Sequence, residues 1–211
     1  MTAPTALPDS PLADPSGPTP PALVLGSTSR YRRELLERLR LPFTVEAPQV
    51  DETPRPGEAP AALALRLALA KAYAVANRHP RAVVIGSDQV AELDGEPLGK
   101  PGDHARATGQ LRRMRGRTVV FHTALAVVRR DTGFEQAEIA QVRVRFRELT
   151  DAEIEAYLRA EQPYDCAGSA KSEGLGIALL DAIDSDDPTA LVGLPLIRTC
   201  RMLRAAGLRL P

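Results

Sequence analysis

The residues best suited to chemistry lie where two short apolar runs each end in a polar segment. Residues 23–25 precede Gly-Ser-Thr-Ser-Arg-Tyr-Arg-Arg (26–33), and residues 82–85 precede Gly-Ser-Asp-Gln (86–89). A strand, a turn of small residues and a helix start present free backbone N–H groups and the positive end of a helix dipole, which together bind anions. Arginines beside the turn add bidentate hydrogen bonds to phosphate oxygens. The first segment therefore predicts a triphosphate-binding site.

Carboxylates in two segments are candidates for metal binding or water activation. Asp88 follows the second apolar run, at the strand end where open α/β sheets place ligands. Such a carboxylate can bind Mg²⁺, or orient and deprotonate a water molecule. Glu52 lies in a loop broken by Pro54 and Pro56, and it would complete a metal site with Asp88. The alternatives are a turn role for Asp88 and a solvated loop around Glu52.

Lysine is rare in this chain, since 24 of its 27 basic residues are arginine. Lys71, Lys100 and Lys171 are of interest because a compact ammonium and a planar guanidinium suit different sites. Lys100 lies in Asp-Gly-Glu-Pro-Leu-Gly-Lys-Pro (94–101), which differs from a P-loop. The glycine spacing is one residue short, and Pro101 replaces the Ser or Thr that binds Mg²⁺. Lys100 therefore either binds a phosphate or ends a hairpin turn.

The elements that must position these residues are a mixture of helices and strands. The hydrophobic pattern predicts strands at 23–25, 43–46, 82–85, 117–128, 138–147 and 175–180, and helices at 30–39, 59–78, 103–115, 150–159 and 195–206. Asp103 is a predicted N-cap, and Thr150 forms a predicted capping box with Glu153. Residues 184–188 predict a solvated turn. Since hairpins occur among the helices, the pattern predicts an α/β fold with a mixed sheet.

The composition excludes several classes of protein. The net charge is zero, which disfavours binding to long nucleic acids or anionic membranes, and no run approaches the roughly 18 apolar residues of a transmembrane helix. Cys166 and Cys200 are too few for a disulfide framework and lack metal-ligand spacing, so a cytoplasmic protein is expected. Residues 1–20, rich in Pro, Ala, Ser and Thr, predict a disordered extension, and residues 21–211 predict a single domain.

Six segments in this order resemble the motifs of the Maf family of nucleotide pyrophosphatases, over residues 22–207. They are Ser-Thr-Ser-Arg-Tyr-Arg-Arg (27–33), Val-Asp-Glu (50–52), Gly-Ser-Asp-Gln (86–89), Leu-Gly-Lys-Pro (98–101), Cys-Ala-Gly-Ser (166–169) and Lys-Ser-Glu-Gly (171–174). The resemblance implies an elongated, two-lobed α/β fold of the inosine-triphosphatase type, with a mixed sheet and a cleft between the lobes. It also implies hydrolysis of a nucleoside triphosphate to the monophosphate and pyrophosphate with Mg²⁺ or Mn²⁺, and a homodimer.

The same resemblance assigns roles to individual residues. The positions that match the family's phosphate contacts are Ser27, Arg32 and Lys100, with Lys71 as a further lysine at the cleft. Glu52 matches a metal-binding carboxylate, and Asp88 matches the residue given as proton acceptor. A free aspartate has a pKa of about 3.9 and is a weak base near neutral pH. Asp88 therefore needs a raised pKa, or it acts chiefly as a metal ligand that positions the water.

Three positions face the base in this family, and here they carry Tyr31, Gln89 and Glu173. This trio is similar to that of the subgroup acting on 7-methyl-GTP, whereas pyrimidine subgroups tend to carry Arg, Thr and Gln. An aromatic ring can stack on the cationic N7-methylguanine, and a carboxylate can pair with its N1–H and amino groups. Arg30 departs from the family pattern, which commonly has proline at this position.

Several alternatives to this interpretation remain open. The substrate could be another modified, pyrimidine or purine triphosphate. Tyr31 could pack in the core instead, and Glu173 could be a surface acid. From a different functional class, the chain could be a nucleotide-binding regulator of septum formation in which hydrolysis is incidental.

Overall fold

The computed structural model describes residues 20–210, and within this range the chain folds as five α-helices around one sheet. The strands are β1 (Leu23–Gly26), β2 (Thr44–Val45), β3 (Val83–Leu93), β4 (Glu96–Leu98), β5 (Thr118–Arg129), β6 (Phe134–Phe146) and β7 (Leu180–Asp184). The helices are α1 (Arg30–Glu37), α2 (Pro60–Ala76), α3 (His104–Met114), α4 (Asp151–Glu161) and α5 (Leu196–Ala205). The predicted α/β class is confirmed.

The sheet is mixed, with strand order β2-β1-β3-β5-β6-β7 and β4 beside the end of β3. The β2-β1-β3 pairs are parallel, and the remaining pairs are antiparallel. The β1–β3 pairing ends where Gly26 lies opposite Gly86, and β4 joins β3 only at Ala91. Between these points no strand of the described residues 20–210 lies along this edge of β3, and Asp88 is in this gap.

Apolar side chains form three buried clusters around the sheet. Neighbouring residues of β3 point to opposite faces, so Val84 packs in the cluster under α2 and Ile85 in the cluster with α1 and α5. The third cluster lies at the far end of the sheet, where α3 and α4 cover residues such as Phe146. The β1–β3 end is therefore covered on both faces, and the far end forms a second packing unit.

The β5–β6 hairpin forms as its alternating sequence predicts. Val142 and Val144 are buried, whereas Arg143 and Arg145 between them are exposed. The turn between the strands ends at Gly133, whose φ of 68° lies in the left-handed region that glycine tolerates. This long pair links the two packing units.

The predicted helix starts at α3 and α4 are confirmed. The Asp103 side chain accepts a hydrogen bond from the backbone N–H of Arg106. Thr150 and Glu153 form a complete capping box, in which each side chain binds the other residue's backbone N–H. These caps replace the hydrogen bonds that the first turn of a helix lacks.

Three local predictions are wrong. The segment 86–89 is not a turn after a strand but part of β3, because pairing with β5 continues past the end of β1. Residues Leu175–Leu179 form a 3₁₀ helix rather than a strand, and β7 begins only at Leu180. A short apolar run fits either conformation. The segment 184–188 is not simply solvated, since Asp187 is fully buried.

The predicted N-terminal extension falls almost entirely on residues 1–19, outside the described part of the chain. Within residues 20–210, no helix is long and apolar enough to cross a membrane.

Candidate active site

All nine residues selected from the sequence line one cleft, which has a volume of about 1070 Å³. They come from the β1–α1 turn, the first turn of α1, the loop after β2, helix α2, the middle of β3, the segment after β4 and the segment before β7. The nine are Ser27, Tyr31, Arg32, Glu52, Lys71, Asp88, Gln89, Lys100 and Glu173. The fold therefore brings together side chains that are up to 146 positions apart in the sequence.

The β1–α1 turn forms one end of the cleft. Ser29 is the N-cap of α1, and its hydroxyl accepts a hydrogen bond from the backbone N–H of Arg32. Ser27 is buried, and its hydroxyl oxygen accepts hydrogen bonds from the backbone N–H of Ser29 and from the Arg32 guanidinium. These contacts hold the turn so that the start of α1 faces the cleft, as expected for an anion site.

Arg32 is held in place by the opposite wall of the cleft. Its Nε donates to the carbonyl oxygen of Gly193 at 2.9 Å, and its Nη1 lies 3.3 Å from Ser27 Oγ. Burial lowers the pKa of this guanidinium, while the charges of Asp88 and Glu52 raise it. The net effect is a lowered pKa, but a guanidinium is so weakly acidic that Arg32 stays positively charged at neutral pH.

Lys71 connects the two candidate carboxylates. Its ammonium Nζ lies 2.6 Å from Asp88 Oδ1 and 2.6 Å from Glu52 Oε1. Lys71 and Asp88 are buried, whereas the Glu52 side chain is 59% exposed. Burial raises the pKa of Glu52, but the hydrogen bond from Lys71 and the nearby Lys100 and Arg32 charges outweigh this, so its pKa lies below the usual value.

Two glycines explain how Lys71 reaches this position. Gly26 and Gly86 face each other on β1 and β3, and the backbone of α2 packs directly onto them. A Cβ on Gly86 would lie 2.2 Å from the carbonyl oxygen of Ala68, and one on Gly26 would lie 3.2 Å from that of Lys71. The absent side chains let α2 approach the sheet closely, which places Lys71 next to Asp88.

The donor set suits a hard divalent cation. Glu52 and Asp88 direct one oxygen each towards the point occupied by Lys71 Nζ, and carboxylate oxygens are the ligands that Mg²⁺ and Mn²⁺ prefer. Within residues 20–210, no group of three or more His, Cys, Asp or Glu side chains converges on one point. The protein thus offers two carboxylates, and other ligands would have to come from phosphate oxygens and water.

Another part of the cleft, beside the smaller cavity of about 370 Å³, is lined by Tyr31 and Glu173. The guanidinium of Arg30 lies 4.7 Å from the centroid of the Tyr31 ring and donates to its hydroxyl. The Cys166 thiol lies 3.8 Å from the same hydroxyl. Burial raises the pKa of Cys166 to about 11, so this thiol is uncharged at neutral pH. Tyr31 is only partly buried and faces the cleft, so it does not pack in the core.

Gln89 faces the cleft from β3, but its amide nitrogen is fully occupied. It donates to the hydroxyl oxygen of Thr123 and to the carbonyl oxygens of Ala190 and Leu191, at 2.9 to 3.0 Å. Since an amide group has two N–H donors, only its oxygen remains for a ligand. Gln89 therefore also fixes the neighbouring wall of the cleft.

That wall, residues 189–193, contains contacts that the sequence did not predict. The carbonyl oxygen of Gly193 accepts hydrogen bonds from Ser87 as well as Arg32, and that of Ala190 accepts one from Thr123. Buried Asp187 holds the base of this segment by accepting hydrogen bonds from Thr189 Oγ1 and the backbone N–H of Arg198. The only sequence signal was the Asp-Asp-Pro stretch before it, because the other contacts are to backbone atoms.

The two remaining lysines have different environments. Lys100 is exposed, follows β4 and faces the cleft, where its charge reaches Glu52. Lys171 instead forms an ion pair with Glu161, with Nζ 2.7 Å from Oε1, and it borders a smaller cavity of about 370 Å³ beside Tyr31. Lys71 and Lys100 thus belong to the charged end of the cleft, and Lys171 lies beside the part lined by Tyr31 and Glu173.

The chain is similar over most of its length to several bacterial proteins that share one name. A protein of Polaromonas sp. (strain JS666) named 7-methyl-GTP pyrophosphatase is 74% identical over 193 residues, which are 92% of this chain and 88% of that protein. Proteins of the same name from Albidiferax ferrireducens and Bordetella pertussis are 70% and 66% identical, covering 92% and 90% of this chain and 98% and 94% of their own lengths. The family model described as Maf-like protein matches residues 22–206. The chain therefore belongs to the Maf family.

Proposed function

We propose that this protein hydrolyses 7-methyl-GTP to 7-methyl-GMP and pyrophosphate. The observation that carries the proposal is a single cleft in which a helix start and cationic side chains occur together with Tyr31 and Glu173, a combination that suits a triphosphate joined to a cationic base. The relatives that share about two thirds to three quarters of their residues with this chain bear the name of that activity. The chemistry can be derived from the residues of the cleft.

The triphosphate binds at the start of α1 and between the cationic side chains. Ser27 and the α1 backbone N–H groups hold phosphate oxygens, and Arg32 adds a guanidinium already fixed by Gly193. Lys71 and Lys100 bring two further positive charges to the same end of the cleft. These charges neutralise the negative charge that grows on pyrophosphate as it leaves.

Asp88 orients the attacking water. The water oxygen forms a bond to the α-phosphorus while the bond from this phosphorus to the oxygen that bridges to the β-phosphate breaks. The electron pair of the broken bond leaves with pyrophosphate, and the proton of the water passes to the Asp88 carboxylate. Because phosphoryl transfer passes through a loose transition state, positioning matters more than strong deprotonation, so an aspartate is sufficient.

Glu52 and Asp88 are the residues that would hold a divalent cation, Mg²⁺ or Mn²⁺, together with phosphate oxygens. When bound, such a cation neutralises phosphate charge and acts as a Lewis acid. The exposure of Glu52 leaves this ligand accessible from the cleft.

The base lies at the end formed by Tyr31 and Glu173. The Tyr31 ring stacks on the positively charged N7-methylguanine, and the Glu173 carboxylate accepts hydrogen bonds from its N1–H and amino groups. The oxygen of Gln89 provides a further acceptor towards the same space. A pyrimidine would leave part of this end unfilled and its acceptors without partners.

The proposal is tested by measuring pyrophosphate release with Mg²⁺ from 7-methyl-GTP, GTP, UTP, dTTP and CTP. We expect the highest kcat/KM for 7-methyl-GTP. The control is Asp88→Asn, which keeps the size of the side chain and should lower turnover at least ~100-fold while circular dichroism stays unchanged. A higher kcat/KM for a pyrimidine nucleotide would contradict 7-methyl-GTP as the substrate. Binding without release from any nucleotide, with Mg²⁺ and Mn²⁺ both tried, would favour a nucleotide-binding regulator.

The setting of this activity is part of the proposal. We expect a cytoplasmic enzyme that acts on free nucleotides, without a role for long nucleic acid or membrane, and that forms a homodimer. Light scattering of the purified chain gives the mass that tests the dimer.

A further inference from the structure

The cationic end of the cleft contains an ammonium between the two carboxylates that would bind a metal ion. Lys71 Nζ is at the same distance, 2.6 Å, from Glu52 Oε1 and Asp88 Oδ1. The side chain of Lys71 is 7% exposed, so the ammonium has little contact with bulk water. A buried ammonium is stable only with partners of opposite charge, and these two carboxylates are its partners.

The packing of α2 fixes the backbone of Lys71 beside the two carboxylates, while its side chain can still turn to another partner in the cleft. Lys71 lies on the buried face of α2 among Ala68, Ala72 and Val75, and the backbone of this helix is seated on Gly26 and Gly86. The ammonium is therefore directed at the carboxylates by the packing of a whole helix. A lysine on the outer face of α2 would have no such constraint.

The net positive charge around the Lys71 ammonium disfavours the binding of a metal ion without a nucleotide. Lys71, Arg32 and Lys100 carry three positive charges, and Glu52 and Asp88 carry two negative ones. The excess positive charge attracts a triphosphate but repels a free divalent cation. The two carboxylates, moreover, already have an ammonium at the point where their oxygens converge.

We infer that Lys71 is a built-in counter-ion that keeps Glu52 and Asp88 from binding a divalent cation until a triphosphate enters the cleft. The phosphate oxygens give the Lys71 ammonium a new partner, and this frees both carboxylates. Metal and nucleotide therefore bind as one unit, and the free enzyme does not retain a metal ion. This inference rests on the proposed metal-dependent hydrolysis, and it makes Lys71 a residue that sets the order of binding.

The test measures Mn²⁺ binding to the full chain without nucleotide, by counting free Mn²⁺ with electron paramagnetic resonance. We expect weak, millimolar binding to the wild type. Lys71→Met replaces the ammonium with an uncharged side chain of similar length, and we expect it to bind one Mn²⁺ at least tenfold more tightly. Lys171→Met is the matched control, because it also removes one lysine charge but from the pair with Glu161; it should bind Mn²⁺ as weakly as the wild type.

A folded Lys71→Met variant that binds Mn²⁺ no better than the wild type would overturn the inference. Lys71→Met leaves two negatively charged carboxylates close together, and their repulsion can destabilise the fold. A second comparison therefore uses a variant that keeps Lys71. Glu52→Gln should leave Mn²⁺ binding to the nucleotide-free chain unchanged within about twofold, since Lys71 already occupies this carboxylate. Submillimolar binding to the wild type that Glu52→Gln weakens tenfold would also overturn the inference. Neither result depends on pyrophosphate release, which tests the proposed function separately.

Discussion

The ring of Tyr31 already contacts a cation in this structure. The guanidinium of Arg30 lies 4.7 Å from the ring centroid, where we propose that the base binds. An aromatic face that attracts a guanidinium will also attract N7-methylguanine, whose positive charge is likewise delocalised over a planar group. A neutral guanine base gains only the stacking interaction with the ring. The Tyr31 ring should therefore contribute more to the binding of 7-methyl-GTP than to the binding of GTP.

Replacing Tyr31 with Leu removes the ring but keeps an apolar side chain. A cation–π contact contributes about 0.5–2 kcal/mol, so kcat/KM for 7-methyl-GTP should fall about 2- to 30-fold relative to that for GTP. The measurement is pyrophosphate release from both nucleotides at low concentration.

The control for this change is Tyr31→Phe, which keeps the ring and loses only the hydroxyl that contacts Arg30 and Cys166. Its preference for 7-methyl-GTP should stay close to that of the wild type. Equal losses with both nucleotides in Tyr31→Leu would mean that the ring does not distinguish the charged base.

At the scale of the elements, the site depends on how closely α2 packs on the sheet. Gly86 is the point of contact, because a Cβ there would lie 2.2 Å from the carbonyl oxygen of Ala68 and 2.5 Å from the backbone nitrogen of Ala72. These are backbone atoms of a helix, so they cannot move without moving the helix. Any displacement of α2 also moves Lys71 away from Asp88.

Gly86→Ala should therefore lower both stability and turnover. Overpacking of a well-packed core typically costs about 1–3 kcal/mol, and we expect a loss of this size in the free energy of unfolding. Chemical denaturation and pyrophosphate release measure the two effects. A variant with normal turnover would show that the position of α2 does not govern the site.

Gly109→Ala is the matched control for this substitution. Gly109 lies within α3, and a Cβ there would meet no heavy atom of the described residues within 4 Å apart from its chain neighbours and the backbone of its own helix. Because alanine favours the helix more than glycine, stability should rise by up to about 1 kcal/mol and turnover should not change.

The sequence predicted most of the elements and selected nine residues that line one cleft, but it did not predict the distances and contacts between them. The capping signals at Asp103 and Thr150 are local, so they could be found without the fold. By contrast, the length of β3 depends on its pairing with β5, a strand distant in the sequence. The contact of α2 with Gly26 and Gly86 likewise depends on the pairing of β1 with β3.

The cleft wall formed by residues 189–193 is a second feature that the sequence does not predict. Its contacts with Arg32, Ser87 and Gln89 are made by backbone carbonyl oxygens, which carry no sequence signature. The acidic segment 184–188 predicts a solvated turn, but Asp187 within it is fully buried. Its burial is explained by the hydrogen bonds that its carboxylate accepts from Thr189 and the backbone N–H of Arg198, and by the Arg198 guanidinium 3.8 Å away.

For the molecule as a whole, ion pairs and capping contacts make stability depend on acidity. Hydrogen bonds from Arg66 and the backbone of Arg55 lower the pKa of Glu58 to about 2. Those from the backbone of Thr150 and the side chain of Arg147 lower the pKa of Glu153 to about 2. A carboxylate whose pKa is lower in the folded state contributes stability above its unfolded pKa and loses it as the pH falls through its folded pKa.

The melting temperature should therefore be steady above about pH 5 and fall steeply between about pH 4.5 and 2. Scanning calorimetry across this range measures the fall. The double variant Glu58→Gln and Glu153→Gln should melt lower than the wild type at pH 7 and show a shallower fall below pH 4.5, because it has lost two groups that protonate on unfolding. Gln at position 153 can keep the capping hydrogen bond, so the helix start is preserved.

Glu96→Gln is the control for this effect, since it removes an exposed carboxylate from β4. It should leave the slope of melting temperature against pH as steep as in the wild type. If the double variant kept the full slope as well, the acid sensitivity would have to come from other carboxylates with lowered pKa values, such as Glu161, which binds Lys171 and the backbone of Leu175. In that case the acid-sensitive contacts would lie next to the base end of the cleft, and binding of 7-methyl-GTP would weaken over the same pH range as stability.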